Sequence, residues 1–444
     1  MPIVASRSAA VGDCVDRLGE DWLTSTRVRA RAKSSRFCTV AHCLLGGSLT
    51  RGFASRLDAP VLSGIDRVIL AVALTGLGAP LRLAVACLLI LGAACSKAAV
   101  PVEAPLALGL ARADLTPAQL AAFERGKAVF SHVYTERDGL GPHFNAMACS
   151  ECHNLPSLGG HGPAELKARV LFDRAQSFVG VLPVKTIAGH APLTVPAGGI
   201  LDFRRGPPLF GLGLLERLTD AELAANCDPS DRNGDGVRGH TNVNTNYDGR
   251  PGRFGLQAHT SSIRDFVGNA LVGEMGVTNL VNRDPLKWAD RDAVADPEAP
   301  TQTVDDLTAY VAGLAAPPRA RAASAADTAR WAAGEGLFVA VGCAGCHQAN
   351  PGVAVAGAYT DLCVHSLGPA FDSRIEDFSA KGDEWRTAPL WGLRFRKQYF
   401  HDARTGDLDA AVRMHGGEAS SAAKNYSSLS SADRTVLIGF LDSL

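Results

Sequence analysis

The sequence lacks an excess of charge of either sign: 44 lysines and arginines stand against 45 aspartates and glutamates in 444 residues, a formal net charge of -1. That balance offers neither a general basic face for nucleic acid nor an acidic tail, so bulk electrostatics singles out no partner and nucleic acid is not expected as one. Aromatic residues are sparse, at 6%, while 46 glycines and 24 prolines make a loop-rich chain. Also missing is an export signal at residue 1. Beyond the apolar run at 83–94 and the Cys95 that follows it, only Cys227 and Cys363 are cysteines outside two short motifs. Those two could pair, but spacing does not show that they meet.

The motifs are Cys149-Ser150-Glu151-Cys152-His153 and Cys343-Ala344-Gly345-Cys346-His347. Two cysteines three apart with histidine next are what covalent c-type haem attachment requires: both thiols add to the haem vinyls and the adjacent imidazole reaches the iron. The two halves of a zinc ribbon usually sit about 15 to 20 residues apart, far closer than these. A thioredoxin-like redox pair has no need of histidine at the next position in both copies. The sequence therefore predicts two covalent haems c, on Cys149 and Cys152 and on Cys343 and Cys346, with His153 and His347 as proximal iron ligands.

Such haem attachment takes place outside the bacterial cytoplasm, so an exported, periplasmic protein is expected. Leu83 to Ala94 is an apolar run of signal-peptide length, preceded by Arg82 and followed by Cys95. Leu91-Gly92-Ala93-Ala94-Cys95 resembles a lipoprotein cleavage box with Gly92 where Leu is usual, which makes Cys95 a candidate lipid anchor. A second apolar run, Val68 to Leu77, is split from the first by Pro80 and Arg82, which disfavours a single span over 68–94. Residues 1–66 carry a basic bias and no clear periodicity. The hypothesis is an overlong gene start followed by the signal; N-terminal sequencing of the native protein tests it, and a mature form beginning before residue 60 contradicts it.

Beyond a linker at 96–104, the expected fold is mainly α: two cytochrome c-like haem domains with long Gly/Pro-rich loops, at 105–318 and 319–444. Thr116, Pro117 and Gln119 form a capping signal for a helix whose Leu120, Phe123 and Phe130 share a face. Thr219-Asp220-Ala221-Glu222 is a second capping box. Val304, Leu307, Val311 and Leu314 share a face of a helix beginning after Thr303 and ending by Pro317-Pro318, the domain boundary. Trp331 to Val341 reads as a helix running into the second motif, and Leu437, Phe440, Leu441 and Leu444 as a short helix lying across it. Gly126 and Phe130 before the first motif match Gly334 and Phe338 before the second, a degenerate internal repeat. No elements are assigned over 154–205.

The sixth position on each iron separates a carrier from an enzyme. For the second haem the candidate is His415, on the same helical face as Leu408 and Ala411 or Val412, with Gly416-Gly417 allowing close approach of the porphyrin; Met414 and His365 are rivals. Asp231, Asn233 and Asp235 begin a D-x-N-x-D-G calcium loop, but position twelve is Asn242 rather than Glu, and a plain Asp/Asn/Gly turn competes. Trp385, Trp391, Phe395 and Tyr399, with His401-Asp402, crowd the segment before His415, where haem packing is the first reading and aromatic electron transfer the second.

From residue 110 onward, the ordered strings Gly139–Asn145 (GLGPHFN), Gly206–Glu216 (GPPLFGLGLLE), Gly252–Gly255 (GRFG), Glu274–Gly276 (EMG), Tyr359–Leu362 (YTDL), Glu384–Leu393 (EWRTAPLWGL), Phe400–Asp402 (FHD) and His415–Ala419 (HGGEA) resemble the di-haem oxidoreductase family and, more distantly, bacterial di-haem cytochrome c peroxidases. The resemblance implies that the first haem is peroxidatic and the second receives electrons. Glu274 falls where the peroxidases keep a distal carboxylate, which would shift a proton between the peroxide oxygens. Phe266 stands near where they keep a Gln. His415 matches their second-haem Met, a change that lowers that haem's potential. Calcium orders the interface between their haem domains. The function implied is reduction of hydrogen peroxide or a related small oxidant, with electrons from a small cytochrome or cupredoxin. The alternatives are a non-enzymatic electron carrier and an envelope iron-handling accessory protein.

Overall fold

Thr116 opens the first helix as its spacing requires: its hydroxyl accepts from the Gln119 backbone N–H while the Gln119 side chain accepts from the Thr116 N–H, satisfying two otherwise unpaired donors. In the computed structural model the described residues are 108–444 apart from 174–177, 245–247, 283–291 and 293. The signal run, the Cys95 box and the linker lie outside them. The described residues all belong to one compact unit, Pro105–Leu444.

Ten α-helices are described: α1 Pro117–Phe130, α2 Cys149–Cys152, α3 Leu212–Leu215, α4 Asp220–Asn226, α5 Ile263–Met275, α6 Thr301–Gly313, α7 Ala325–Ala340, α8 Leu408–Met414, α9 Ser420–Ser428 and α10 Ser431–Leu441. Helices predominate, but three small antiparallel sheets were not foreseen. Strands β1 His143–Phe144 and β4 Lys185–Thr186 form one; β2 Lys167–Asp173 lies between β3 Phe178–Leu182 and β5 Ile200–Arg205 in another; β6 Val364–Ser366 pairs with β7 Glu384–Arg386 in the third. In the middle sheet Val170 faces Val181 on one side and Asp202 on the other. Its strands run five to seven residues, and the mixed apolar and charged residues of Lys167–Asp173 and Ile200–Arg205 do not alternate strictly between apolar and polar.

Both expected amphipathic helices are present with earlier starts. Helix α6 begins at Thr301, not after Thr303, and buries Val304, Leu307 and Val311, with Leu314 at its C-cap. Helix α7 begins at Ala325, where the Ser324 side chain accepts from the Asp327 N–H, six residues before the expected Trp331.

Among the described residues two large apolar cores result, with a small third cluster of Ala258, Val364 and Ala380. The larger gathers Phe123, Phe130, Leu271, Leu307 and Tyr310 and also takes in Leu362 and Trp391 from beyond Pro318. The smaller holds Phe338, Tyr359, Tyr426, Leu437 and Phe440. In each, the helix leading to a CxxCH motif crosses a later one, α1 with α6 and α7 with α10. The disulfide Cys227–Cys363 joins the end of α4 to the start of β6 across 136 residues.

Candidate functional site

The two motifs repeat one local construction. The backbone N–H of His153 donates to Cys149 O at 3.1 Å and that of His347 to Cys343 O at 3.0 Å, folding each pentapeptide into a single turn. Ring Nδ1 of His153 lies 3.2 Å from Gly160 O and that of His347 2.9 Å from Tyr359 O. A carbonyl accepting from Nδ1–H fixes the tautomer and leaves the Nε2 lone pair for a metal. Burial lowers both pKa values, that of His347 to about 4, so each imidazole stays neutral as a ligand must. Phe130 packs 6.3 Å from His153 and Phe338 6.4 Å from His347, centroid to centroid. Burial likewise holds the thiols protonated, pushing Cys152 to about 11 and Cys343 to about 12.

At the second motif these groups line a cavity of about 530 Å³ that also takes in His415, Trp385 and Trp391. That volume lies within the range of cofactor pockets. His415 follows the last residue of α8, and its Nδ1 is 2.8 Å from Ala411 O, so Nε2 is again the free nitrogen. Both thiols, the proximal histidine, a second histidine and an aromatic wall fit a covalent haem. The rival ligands stand otherwise: Met414 is 37% exposed, and His365 is held at both nitrogens. Its Nε2 is 2.9 Å from Asp361 and its Nδ1 2.9 Å from Glu418 and 3.7 Å from Cys346 Sγ, and against burial Asp361, Cys346 and Glu418 together raise its pKa to about 12. Gly416 sits close against the Leu367 carbonyl oxygen and Gly417 against that of Ser366, 2.6 and 2.2 Å respectively from where a β-carbon would be. Close backbone packing is therefore what their missing side chains allow.

At the first motif, α5 carries Glu274 beside the cysteines. Ser262 caps the helix at one end and Gly276, at φ 69°, ends it at the other. Asn145, one residue past β1, bonds Glu274 twice: its N–H donates to the Glu274 carbonyl at 2.7 Å and its amide to the carboxylate, also at 2.7 Å. Burial raises the carboxyl pKa, and the Asn145 hydrogen bond only partly opposes this. The charge of Glu274 acts on both Cys149 and Cys152. Phe266, about two turns before Glu274 on α5, stacks on His259 at 6.0 Å.

Asp231, half-buried, and the exposed Asn233 and Asp235 form a turn whose oxygens are used within it or by Arg238 beside it. Asp231 accepts from Gly236 N–H at 3.1 Å, Asp235 from Val237 N–H at 2.8 Å, and the Asn233 amide donates to Asp235 at 2.9 Å. The aromatic segment splits: Trp385, Trp391 and Tyr399 line the cavity, while Phe395 packs on the larger core. Trp385 stacks on His401 at 3.7 Å with 6° between planes, and Arg204 lies 5.1 Å from its ring.

Several contributors escaped sequence reasoning although they stand in the motif strings. Tyr359 gives the carbonyl that orients His347, and Asp361 and Glu418 clamp His365. Arg253, 1% exposed, bonds Asp220 and the carbonyls of Leu218 and Ser261, so the GRFG string is structural.

No curated protein matches the sequence. Among solved structures, hydrazine synthase from Kuenenia stuttgartiensis is 13% identical, covering 73% of this chain and 87% of its own, with a TM-score of 0.38. The diheme peroxidase BthA from Burkholderia thailandensis is 16% identical, covering 74% and 86%, with a TM-score of 0.37. A family model described as "Di-haem oxidoreductase, putative peroxidase" matches residues 197–444, which include the second CxxCH motif and Glu274 but not the first motif. Because that match takes in more than half of the chain, the protein belongs to the di-haem oxidoreductase family.

Proposed function

We propose that the protein is a periplasmic di-haem enzyme that reduces hydrogen peroxide, or a related small oxidant, at a haem on Cys149 and Cys152, with electrons passed through a haem on Cys343 and Cys346. The observation that carries this reading is an asymmetry between two otherwise repeated motifs. Near one proximal histidine a second histidine, His415, shares the cavity; near the other a carboxyl of raised pKa, Glu274, lies beside the cysteines. Bound haem would supply the electrons and an iron position at which the O–O bond is broken. The chain's part is to keep His153, His347 and His415 neutral with Nε2 free, and to exclude water with the aromatic wall. Glu274 would take a proton from the near peroxide oxygen and return it to the leaving one.

The same reading includes export by the run at 83–94, with Cys95 as a candidate lipid anchor, and two haem-bearing halves at 105–318 and 319–444. The partners are a small cytochrome or cupredoxin as donor and peroxide as acceptor, and a calcium ion at Asp231, Asn233 and Asp235 is retained as a subsidiary proposal that metal analysis after dialysis against calcium tests.

The test is stopped-flow mixing of the half-reduced protein with peroxide, followed in the Soret region. A high-spin ferric haem whose band shifts with cyanide and with peroxide supports the enzyme. Two low-spin haems in every redox state, unmoved by either reagent, would make the protein an electron carrier.

A further inference from the structure

Three arginines line the cavity of His347 and His415 without a carboxylate partner. Arg386, at the end of β7, donates from Nε to Gly255 O at 2.9 Å, and its buried Nη1 meets no acceptor. Arg396 donates from Nη2 to Pro389 O at 2.7 Å, and its buried Nε is likewise unmatched. Arg205, at the end of β5, donates from Nε to Gly162 O at 2.6 Å and from Nη1 to Gln398 O at 3.5 Å, with Nη2 against His161 Nδ1, so it adds charge to the cavity rather than an unmatched N–H. Among the described residues none of the three forms an ion pair. The acidic groups that bear on them are Asp361 for Arg386 and Glu165 for Arg205, and Asp361 is already bonded to His365.

Burial, and then the neighbouring guanidinium, lowers Arg386 to about 10; burial alone accounts for most of the fall of Arg396 to about 10. Both remain charged at neutral pH. A buried cation with no counter-ion is strongly unfavourable, and a guanidinium with unused N–H groups is shaped for a carboxylate. Several such groups around one cavity mark the place of an anion that arrives with the cavity's occupant.

We propose that Arg386 and Arg396, with Arg205 as a third cation, bind the two propionate carboxylates of the haem attached at Cys343 and Cys346. The proposal rests on the second haem occupying this cavity. A free carboxylate would satisfy the same guanidiniums, so the experiment separates the two sources.

Exported full-length protein, its haem count checked by mass, is studied by resonance Raman and by spectroelectrochemical titration as wild type, Arg386→Leu, Arg396→Leu and the two lysine variants. In the leucine variants the propionate-bending bands of the second haem are expected to shift and its midpoint potential to fall, because a cation that favours the reduced iron has gone. The lysine variants keep a charge without the fork and should show a smaller fall with the same band shift, and they carry the test if the leucine variants do not fold. Unchanged bands and potential with both haems attached overturn the proposal. So does a wild-type second-haem spectrum that responds to added acetate while the propionate bands ignore every substitution. A wild type with no mass gain at Cys343 and Cys346 removes the underlying haem reading instead, an outcome distinct from either.

Discussion

A β-carbon placed on Gly126 would lie 1.9 Å from the carbonyl oxygen of Asp306, so α1 and α6 cross with backbone against backbone. The contact sets Phe130, one turn further on, against His153 and Tyr310. Gly334 repeats the device in α7, where a β-carbon would meet Val436 O at 2.6 Å, and Phe338 then packs on His347 and Phe440. Gly126→Ala should cost about 3 kcal/mol, since backbone rather than a side chain must move. Gly336→Ala, in the same helix as Gly334 but with open space around it, should instead stabilise by about 0.5–1 kcal/mol. Denaturant unfolding measures both; a cost below about 1 kcal/mol at Gly126 would show that the helix pair can part without penalty.

Removing the Cys227–Cys363 bridge should lower stability by about 2–5 kcal/mol, given the long loop it closes. The bridge holds the segment from Tyr359 to His365, which orients His347 and carries the Asp361 clamp. The paired Cys227→Ser and Cys363→Ser variant, compared with wild type with and without reductant, gives the number. Superimposable unfolding curves would deny the bridge any part in stability.

Glu274→Gln should lower the rate of peroxide consumption by about a hundredfold or more, the scale of a lost general acid–base. Because burial raises the Glu274 pKa, its base form is populated only above the ordinary glutamate range, and wild-type turnover should fall as pH drops through the raised value. The variant should lack that limb. For folding the sign is opposite: the native state holds this proton more tightly than the unfolded chain, so the group's contribution to stability declines as pH rises past the ordinary value. Equal turnover in the two proteins removes Glu274 from the mechanism.

His415→Met should raise the midpoint potential of the second haem, within the ~0.8 V span that axial ligands command. His415→Ala should open that iron to cyanide. Spectra and potentials identical to wild type in both variants would assign the ligand elsewhere.

Much of the site was legible because it is local. The CxxCH pentapeptides carry thiols and imidazole in one turn, the boxes at Thr116 and Thr219 close their own hydrogen bonds, and the apolar face of α6 repeats every turn. The helix starts were misjudged where Thr301 and Ala325 open a first turn with no strong apolar signal. Strands β2, β3 and β5 were missed because each is stabilised by partners elsewhere in the chain rather than by its own pattern.

From the order of residues alone come the two CxxCH motifs, the histidine that closes each and the repeated Gly-x-x-x-Phe that precedes each, since bonding and helical spacing act over a few residues. Only folding brings Asn145 to Glu274, Cys227 to Cys363, Asp361 and Glu418 to His365, and Arg205, Arg386 and Arg396 to one cavity. Those meetings join segments up to well over a hundred residues apart, and burial, which lowers the pKa of His153, His347 and His415 and raises that of Glu274, exists only once the core has closed around them.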